Sequence, residues 1–327
     1  MQTMSIGLVL LTLVAVGSRD AVSQPTKLSD YPTRPVRLIV PFPPGAANDI
    51  LGRAVGARLS QRLGEPFIVD NRAGAGGVLG TSIAATAPAD GHTIVLVPAS
   101  HAINASLLEK PPYDALKDFA PISRIATGAY MLVVSPGFAP KSIAELIRLA
   151  KGKPGYINYA SAGVGNATHL LGELVASMAD IKMTHVPYKG GTPALVDVMA
   201  GRAHMYFGTI AATHPLAKAG KVRALAVTSL ARARAVPDVP TISESGIPGF
   251  EGVGWWGILA PARVPATIVE KLNREIGTML GEPDVQQWLL QQGFEPAPTS
   301  SKEFGRFITS EVAKWGKLVA ASGATIN

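Results

Sequence analysis

Two stretches place small residues, hydroxyls and amides where a strand turns into a helix. The first is residues 43–49 (P-P-G-A-A-N-D). The first N–H groups of a helix lack intrahelical acceptors and sit at the positive end of its dipole, so such a turn suits an anion. No large side chain blocks approach at Pro44, Gly45, Ala46 or Ala47, and Asn48 or Asp49 offers a cap. The bland alternative is an ordinary strand–helix joint. The second stretch is residues 159–169 (Y-A-S-A-G-V-G-N-A-T-H). Ser161 and Thr168 offer hydroxyls, Gly163 and Gly165 permit a tight turn, and Asn166 can cap the helix that follows. His169, in the first helical turn, either touches a ligand or bonds a neighbouring carbonyl. If the two loops face each other, they grip an anion from opposite sides. Neither loop contains Lys or Arg, so recognition rests on backbone geometry rather than a salt bridge.

Other chemistry is poorly supported. Ser161 and His169 suggest a nucleophile and base, but no orienting acid is evident. The sequence has no G-x-S-x-G and no H-E-x-x-H. The six histidines are scattered without metal-ligand spacing, and cysteine is absent, which removes thiolate zinc sites, disulfides and Cys nucleophiles. We therefore expect no catalytic residues, metal or cofactor. Residues 71–77 (N-R-A-G-A-G-G) form a glycine-rich turn, but Leu79 replaces the third glycine of a dinucleotide fingerprint, so a structural turn is favoured. Ser100 and His101 follow a strand at its C-terminal end, where α/β sheets present ligand-contacting loops. Tyr188, Gly208 and Thr209 occupy similar strand ends, and each either lines a cleft or packs structurally.

The elements that position these loops alternate. Short β-rich runs at 36–42, 67–70, 93–97, 131–134, 156–160, 183–186, 204–207 and 224–228 are separated by helical periodicities. Ile50, Leu51, Ala54, Val55, Leu59 and Leu63 share one helix face, and Leu170, Leu171, Leu174, Val175 and Met178 another. This is an α/β pattern, with parallel sheets covered by helices on both faces. In 327 residues, 47% are hydrophobic and 16% charged. That composition excludes a disordered chain and supports a large core. The net charge is +7, but the cations form no run, which argues against nucleic acid.

One internal echo concerns domain organisation. Pro136, Pro140, Ser142 and Glu145 recur at a constant offset as Pro261, Pro265, Thr267 and Glu270. Both copies read as strand, P-x-x-x-P, capping box and amphipathic helix. The echo is either coincidence or two equivalent strands crossing between two domains. The second reading predicts a discontinuous first domain, 24–128 with 253–327, and a second domain at 129–252. A hinged two-lobed protein would bind its ligand in the cleft between them. Residues 6–16 (I-G-L-V-L-L-T-L-V-A-V) are too few to span a bilayer but suit the apolar region of a signal peptide at 1–23, with small Ala21 and Ser23 before the cleavage point. The expectation is an exported, soluble, periplasmic protein.

Several motifs, in order, resemble the Bug receptors, the periplasmic solute-binding components of tripartite tricarboxylate transporters. They are Y-P-T-R-P-V-R-L-I-V-P-F-P-P-G at 31–45 with Asp49, D-N-R-A-G-A-G-G at 70–77, Y-A-S-A-G-V-G-N at 159–166 with His169 and Leu170, and H-V-P-Y-K-G at 185–190. L-A-V-T-S, P-D-V-P-T and G-I-P-G-F follow between Leu225 and Phe250. The resemblance implies a type II periplasmic-binding-protein fold, two lobes joined by a two-strand hinge. It implies a small carboxylate held between loops 43–49 and 161–166, cleft closure, and delivery by a monomer to membrane permease subunits. A sensory receptor signalling occupancy would share the fold, and an exported hydrolase using Ser161 and His169 is a third reading. Three positions depart from the family pattern: Ala46 for a second glycine, Ala73 for proline, and Gly208 where many members carry Asp. The last departure favours a ligand without an amine.

Overall fold

The computed structural model describes residues 31–322, with side chains to 317. The expected signal peptide lies outside the described residues. Contacts divide the chain into 1–31 and 32–327, and the architecture below belongs to the second unit.

The elements run in chain order. First come β1 (Val36–Val40), α1 (Ala47–Leu63), β2 (Phe67–Asn71), a 3-10 turn (Ala75–Gly77), α2 (Val78–Ala85), β3 (Thr93–Pro98) and α3 (Ser100–Leu107). Next are β4 (Phe119–Val134), α4 (Ile143–Gly152), β5 (Asn158–Ser161), α5 (Ala167–Ala179), β6 (Thr184–Pro187), α6 (Gly191–Met199), β7 (Met205–Thr209), α7 (Ile210–Lys218) and β8 (Arg223–Val227). The last are β9 (Val253–Pro261), α8 (Ala266–Gly281), α9 (Pro283–Gln291), β10 (Glu295–Pro296) and α10 (Ser301–Ser322).

The apolar runs at 36–40 and 93–98 become strands buried at all but Arg37 and Thr93. β1 pairs in parallel with β2 and β3, and β5 in parallel with β6 and β7. The centre differs from the all-parallel expectation. β4 runs for 16 residues, far beyond the anticipated 131–134, and is antiparallel to every partner. From Phe119 to Ala129 it pairs with β9, and from Tyr130 to Val134 with β7. Its first half resists sequence reading because Pro121, Ser123, Arg124 and Gly128 break the β pattern. Register shifts beside Pro121 and Arg124 accommodate them as bulges.

The chain thus builds two sheets that meet on β4, each with its own apolar core. One core gathers Ile39, Val95, Val97, Ile103, Leu107, Trp255 and Phe304. The other gathers Met131, Val133, Ala160, Val198, Tyr206 and Val227. This is the two-lobed periplasmic-binding-protein fold. Fully buried Thr228 ties the two central connections together. Its Oγ1 accepts the Tyr130 N–H at 2.8 Å and donates to the Gly252 carbonyl at 2.6 Å.

The echoed helices start differently. Ser142 caps α4 by accepting the Glu145 N–H at 3.2 Å, as a capping box predicts. α8 starts one residue before Thr267, with Pro265 at the cap position and no side-chain cap. The second copy therefore keeps the amphipathic stripe, burying Ile268, Leu272, Ile276 and Met279, without the box.

Candidate ligand-binding cleft

Four helices begin around one cavity of about 330 Å³. α1 contributes Ala46, Ala47 and Asn48. α5 contributes Asn166 and Thr168, α6 contributes Gly191 and Thr192, and α7 contributes Thr209, Ala211 and Ala212. The walls are Phe42, Ile50, Pro98, Leu195, Pro215 and Leu216, with Tyr130, Tyr206 and Trp256. Among the described residues that line it, none is charged. Unpaired N–H groups at helix starts carry partial positive charge and attract anions without a cation. Burial pushes the Tyr130 and Tyr206 hydroxyls up, the neighbouring Tyr130 adding to the shift at Tyr206, so both stay protonated. The cavity is therefore rich in donors and apolar surface, and holds no acid to meet an ammonium group.

The α1 loop is held by a carboxylate. Asp49 Oδ2 accepts the Gly45 N–H and Arg53 Nε, each at 3.0 Å. Its Oδ1 accepts Asn71 Nδ2 at 3.0 Å and faces Arg53 Nη2 at the same distance. Burial alone would raise this carboxyl, but the bonds from Arg53, Gly45 and Asn71 overcome it and hold the pKa below its ordinary value. Gly45 itself has φ +78°, a left-handed turn residue. The expected cap does not form: Ala46 is the N-cap, and Asp49 reaches back from inside the first turn.

The α5 loop is held by neutral groups. Asn166 Oδ1 accepts the Thr168 N–H at 3.1 Å, the predicted cap. Thr168 Oγ1 accepts the Ala162 N–H at 2.8 Å. His169 Nδ1 accepts the Gly165 N–H at 3.2 Å, which requires that nitrogen to be unprotonated. His169 stacks on His185 with centroids 3.9 Å apart, and His185 Nε2 meets Ser161 Oγ at 2.6 Å. Burial, and then the His169 imidazole, push His185 down to about 4. Burial also lowers His169, against the opposing pull of Glu173. At Gly165 a Cβ would lie 1.9 Å from Leu107 Cδ2 of α3, so the loop touches the other lobe there. Thr192 Oγ1 makes a second bridge, donating to the Pro44 carbonyl at 3.3 Å.

Of the residues singled out in the sequence, Gly45, Ala46, Ala47, Asn166 and Thr209 line the cavity. Pro44 lies beside it as the acceptor for Thr192. Asp49, Ser161, Gly163, Gly165 and His169 stand behind it and shape the two loops. Fully buried Ser161 pairs with His185 and not His169, whose Nδ1 faces Gly165 and whose Nε2 lies 3.8 Å from Glu173 Oε1. The Ser161–His169 hydrolase dyad is therefore not formed. Ser100 and His101 are buried at the start of α3. His101 packs against Tyr113 and Phe119 and bonds the Ala115 carbonyl at 3.0 Å, with burial pushing it down to about 4. Tyr188 turns its hydroxyl to Asp197 at 2.7 Å. Gly208 is absent from the lining, and a Cβ there would lie 2.2 Å from Thr213 Cγ2. The uncharged lining, and not this glycine, is what disfavours an amine.

Sequence reasoning missed the cavity's aromatic wall and the α6 start. Tyr130 and Trp256 lie on the strands that the 125-residue offset marks, so that echo could have found them. G-G-T at 190–192 repeats the strand–glycine–helix design of the two anion loops. The ring of Trp256 is fixed from the start of α1, its Nε1 donating to Asn48 Oδ1.

An uncharged, donor-rich cavity between two α/β lobes defines a solute-binding protein of the type II periplasmic fold. A model of the tripartite tricarboxylate transporter family receptor (TctC) matches residues 51–324, and the chain belongs to that family. BugT of Bordetella pertussis strain Tohama I is 34% identical over 320 residues, 97% of this chain and 98% of BugT. The structure titled "R. palustris Rpa4515 with adipate" is 36% identical, with TM-score 0.88, over 90% of this chain and 100% of its own. That of MatC from Rhodopseudomonas palustris with bound malate is 30% identical, with TM-score 0.83, over 88% and 100%. The resemblance to the Bug receptors is thus borne out by a family model, a relative and solved structures. Among the described residues no helix is long and apolar enough to cross a membrane.

Proposed function

We propose that this chain captures a small carboxylate without an amine in the 330 Å³ cavity and delivers it to a tripartite permease. The observation that carries the proposal is the meeting of four helix starts from both lobes around an uncharged lining. One anionic end suits the N–H groups of α1 and α5. The apolar walls suit a carbon body. The lobes would be 24–128 with 253–327, and 129–252, closing about the β4 and β9 connections. Export through a signal peptide at 1–23 would place the receptor in the periplasm. Relatives captured with adipate and malate support the ligand class, and the family description supports delivery to a transporter.

The test is a thermal-shift screen of carboxylates on refolded, ligand-stripped protein, followed by isothermal titration. A cognate ligand at about 100 times its Kd stabilises the fold by about 2.7 kcal/mol, a clear rise in melting temperature. The proposal fails if no carboxylate shifts the melting point. Its amine clause fails if aspartate or glutamate binds tightly.

A further inference from the structure

The connecting strands β4 and β9 have two faces, because successive side chains of a strand point opposite ways. Trp256 lines the ligand cavity, and its neighbour Trp255 lines a second, larger groove of about 1450 Å³. The register shift after Arg124 puts Arg124 and Thr127 on the Trp255 face, and all three form the floor of that groove. One wall is α10, with Phe307 and Trp315, and the other is α5, with Leu170 and Leu174. Tyr130 is common to both linings. α10 packs on the first core and α5 follows β5 of the second sheet, so the width of the groove depends on the angle between the lobes. The groove exceeds the roughly 300–1,000 Å³ that encloses a small molecule, and it fits a polypeptide segment.

The charges in the groove define that segment. Lys151, Asp180, Lys182 and Glu251 are exposed and keep their water. Glu173 accepts the Tyr159 hydroxyl. Glu311 is buried, but it accepts the indole N–H groups of Trp255 and Trp315, each at 2.9 Å, and meets Lys314 at 3.3 Å. Arg124 is partly buried, its guanidinium 4.7 Å from the Phe307 centroid, and its Nε donates to the Ala297 carbonyl at 3.4 Å. Among the described residues no carboxylate pairs with it, and its two terminal nitrogens have no acceptor. Burial lowers its pKa, with Glu311 opposing. A partly desolvated guanidinium is best satisfied by a carboxylate that takes both terminal N–H groups.

We propose that this groove is where the permease docks, through a segment that seats an acidic side chain on Arg124 and apolar neighbours on Leu174 and on Val253, which is 42% exposed. This rests on the transport reading above and gives it a surface. Delivery requires the partner to tell the loaded receptor from the empty one. A partner that touches both lobes gains differential affinity from their angle. A segment docked here touches none of the ligand cavity's lining except Tyr130.

The test measures uptake of the best carboxylate of the screen, radiolabelled, by native host cells, with the gene deletion as the blank. The chromosomal gene encodes wild type, Arg124→Gln, Arg124→Lys or Leu174→Asp, and each purified protein is titrated with the same carboxylate. Arg124→Gln should bind within twofold of wild type while uptake falls at least fivefold, because the partner's acid is left unpaired. Arg124→Lys, which keeps the cation, should transport at least twice as fast as Arg124→Gln. Leu174→Asp, which puts a like charge on the opposite wall, should also cut uptake at least fivefold with affinity kept, and it decides alone if Arg124→Gln does not fold. The proposal is overturned if uptake falls less than fivefold, if affinity falls in proportion to uptake, or if Lys at 124 transports no better than Gln. If wild type binds a carboxylate and supports its uptake while the variants do so equally, only this proposal falls. If wild type binds no carboxylate, or its cells take up none, the transport reading falls and takes this one with it.

Discussion

The two loops that open α1 and α5 share one design in sequence, and the structure holds them by opposite electrostatic means. In the first, the ionised Asp49 carboxylate gathers the Gly45 amide, Arg53 and Asn71. In the second, a neutral chain of Asn166, Thr168, His169, His185 and Ser161 fixes the turn. Both open helices whose starts line the cavity, with no side-chain charge in that lining. They differ in what breaks them. A carboxylate frame fails when its one charge is removed, whereas an imidazole frame fails when charge is added.

The largest expected effect is on the charged frame. Asp49→Ala leaves the Gly45 amide without its acceptor, reduces Asn71 Nδ2 to the Phe42 carbonyl and takes the carboxylate from Arg53. Removing one partner from a buried ionic network costs several kcal/mol, and half-exposed Arg53 moderates this to about 3 kcal/mol. Urea unfolding at pH 7 measures the loss, and titration with the best carboxylate of the screen should show affinity weakened at least tenfold. If Asp49→Ala loses less than 1 kcal/mol and binds normally, the carboxylate is not what shapes the loop.

Much of this contrast was legible in the sequence, and the illegible part has physical causes. Proline and glycine before α1, and glycine with a polar cap before α5, mark both strand–helix turns locally, so Gly45, Ala46, Ala47 and Asn166 could be expected where they line the cavity. Which atoms bond which is a tertiary matter. The His169–His185 stack joins α5 to β6, and Asn71 reaches Asp49 from β2. Periodicity reports neither contact. His101 misleads for the same reason. A polar residue after a strand suggests a ligand, but here the ring fills an apolar core behind the turn. The first half of β4 was hidden because its bulges interrupt the alternation that announces a strand.

Acid should separate the two loops next. His185 is held neutral, down to about 4, by burial and by His169. Unfolded, its pKa returns to about 6.5. The unfolded chain then binds the extra proton between these values, so stability is full above pH 6.5 and falls as pH drops towards 4. The slope is about 1.4 kcal/mol per pH unit for one such group, or about 2 kcal/mol by pH 4.5 after allowance for partial exposure. His101, in the core beneath α3, titrates in the same window, so the His185 share must be isolated by difference. His185→Gln should flatten the stability–pH curve between 6.5 and 4 relative to wild type, and ligand affinity should fall with acid in wild type first. Asp49, with its pKa lowered, keeps its contribution until pH falls through the carboxylate range. Equal slopes in wild type and His185→Gln would remove the imidazole frame from the account.

A smaller effect belongs to the cap. Asn166→Ala removes the acceptor for the Thr168 N–H and should cost about 1 kcal/mol, the usual value for such a cap. The lesion lies in a loop that lines the proposed binding cavity, so affinity should drop more than stability. No matching cost is expected from changing the α1 cap residue, because Ala46 makes no side-chain cap bond. A Ser introduced at position 46 that stabilised the protein by 1 kcal/mol would show that both loops answer to capping, and the contrast between them would blur.

The smallest effect tests whether Arg53 or the amide and Asn71 bonds hold Asp49 in place. Arg53 is 58% exposed along its side chain and pairs with a carboxylate only 6% exposed. The solvated partner is screened by salt, and exposed pairs are worth about 0.5 kcal/mol. Arg53→Gln, or 0.5 M NaCl added to wild type, should therefore reduce stability by only about that amount and leave the α5 loop's pH response untouched. Asp49 would still accept from Gly45 and Asn71, which together keep the turn closed. If Arg53→Gln instead matches Asp49→Ala, the loop is an ion pair on a helix surface. The carboxylate would then have no frame beyond its cation, and the α1 loop would be the salt-sensitive half of the cleft just as the α5 loop is its acid-sensitive half.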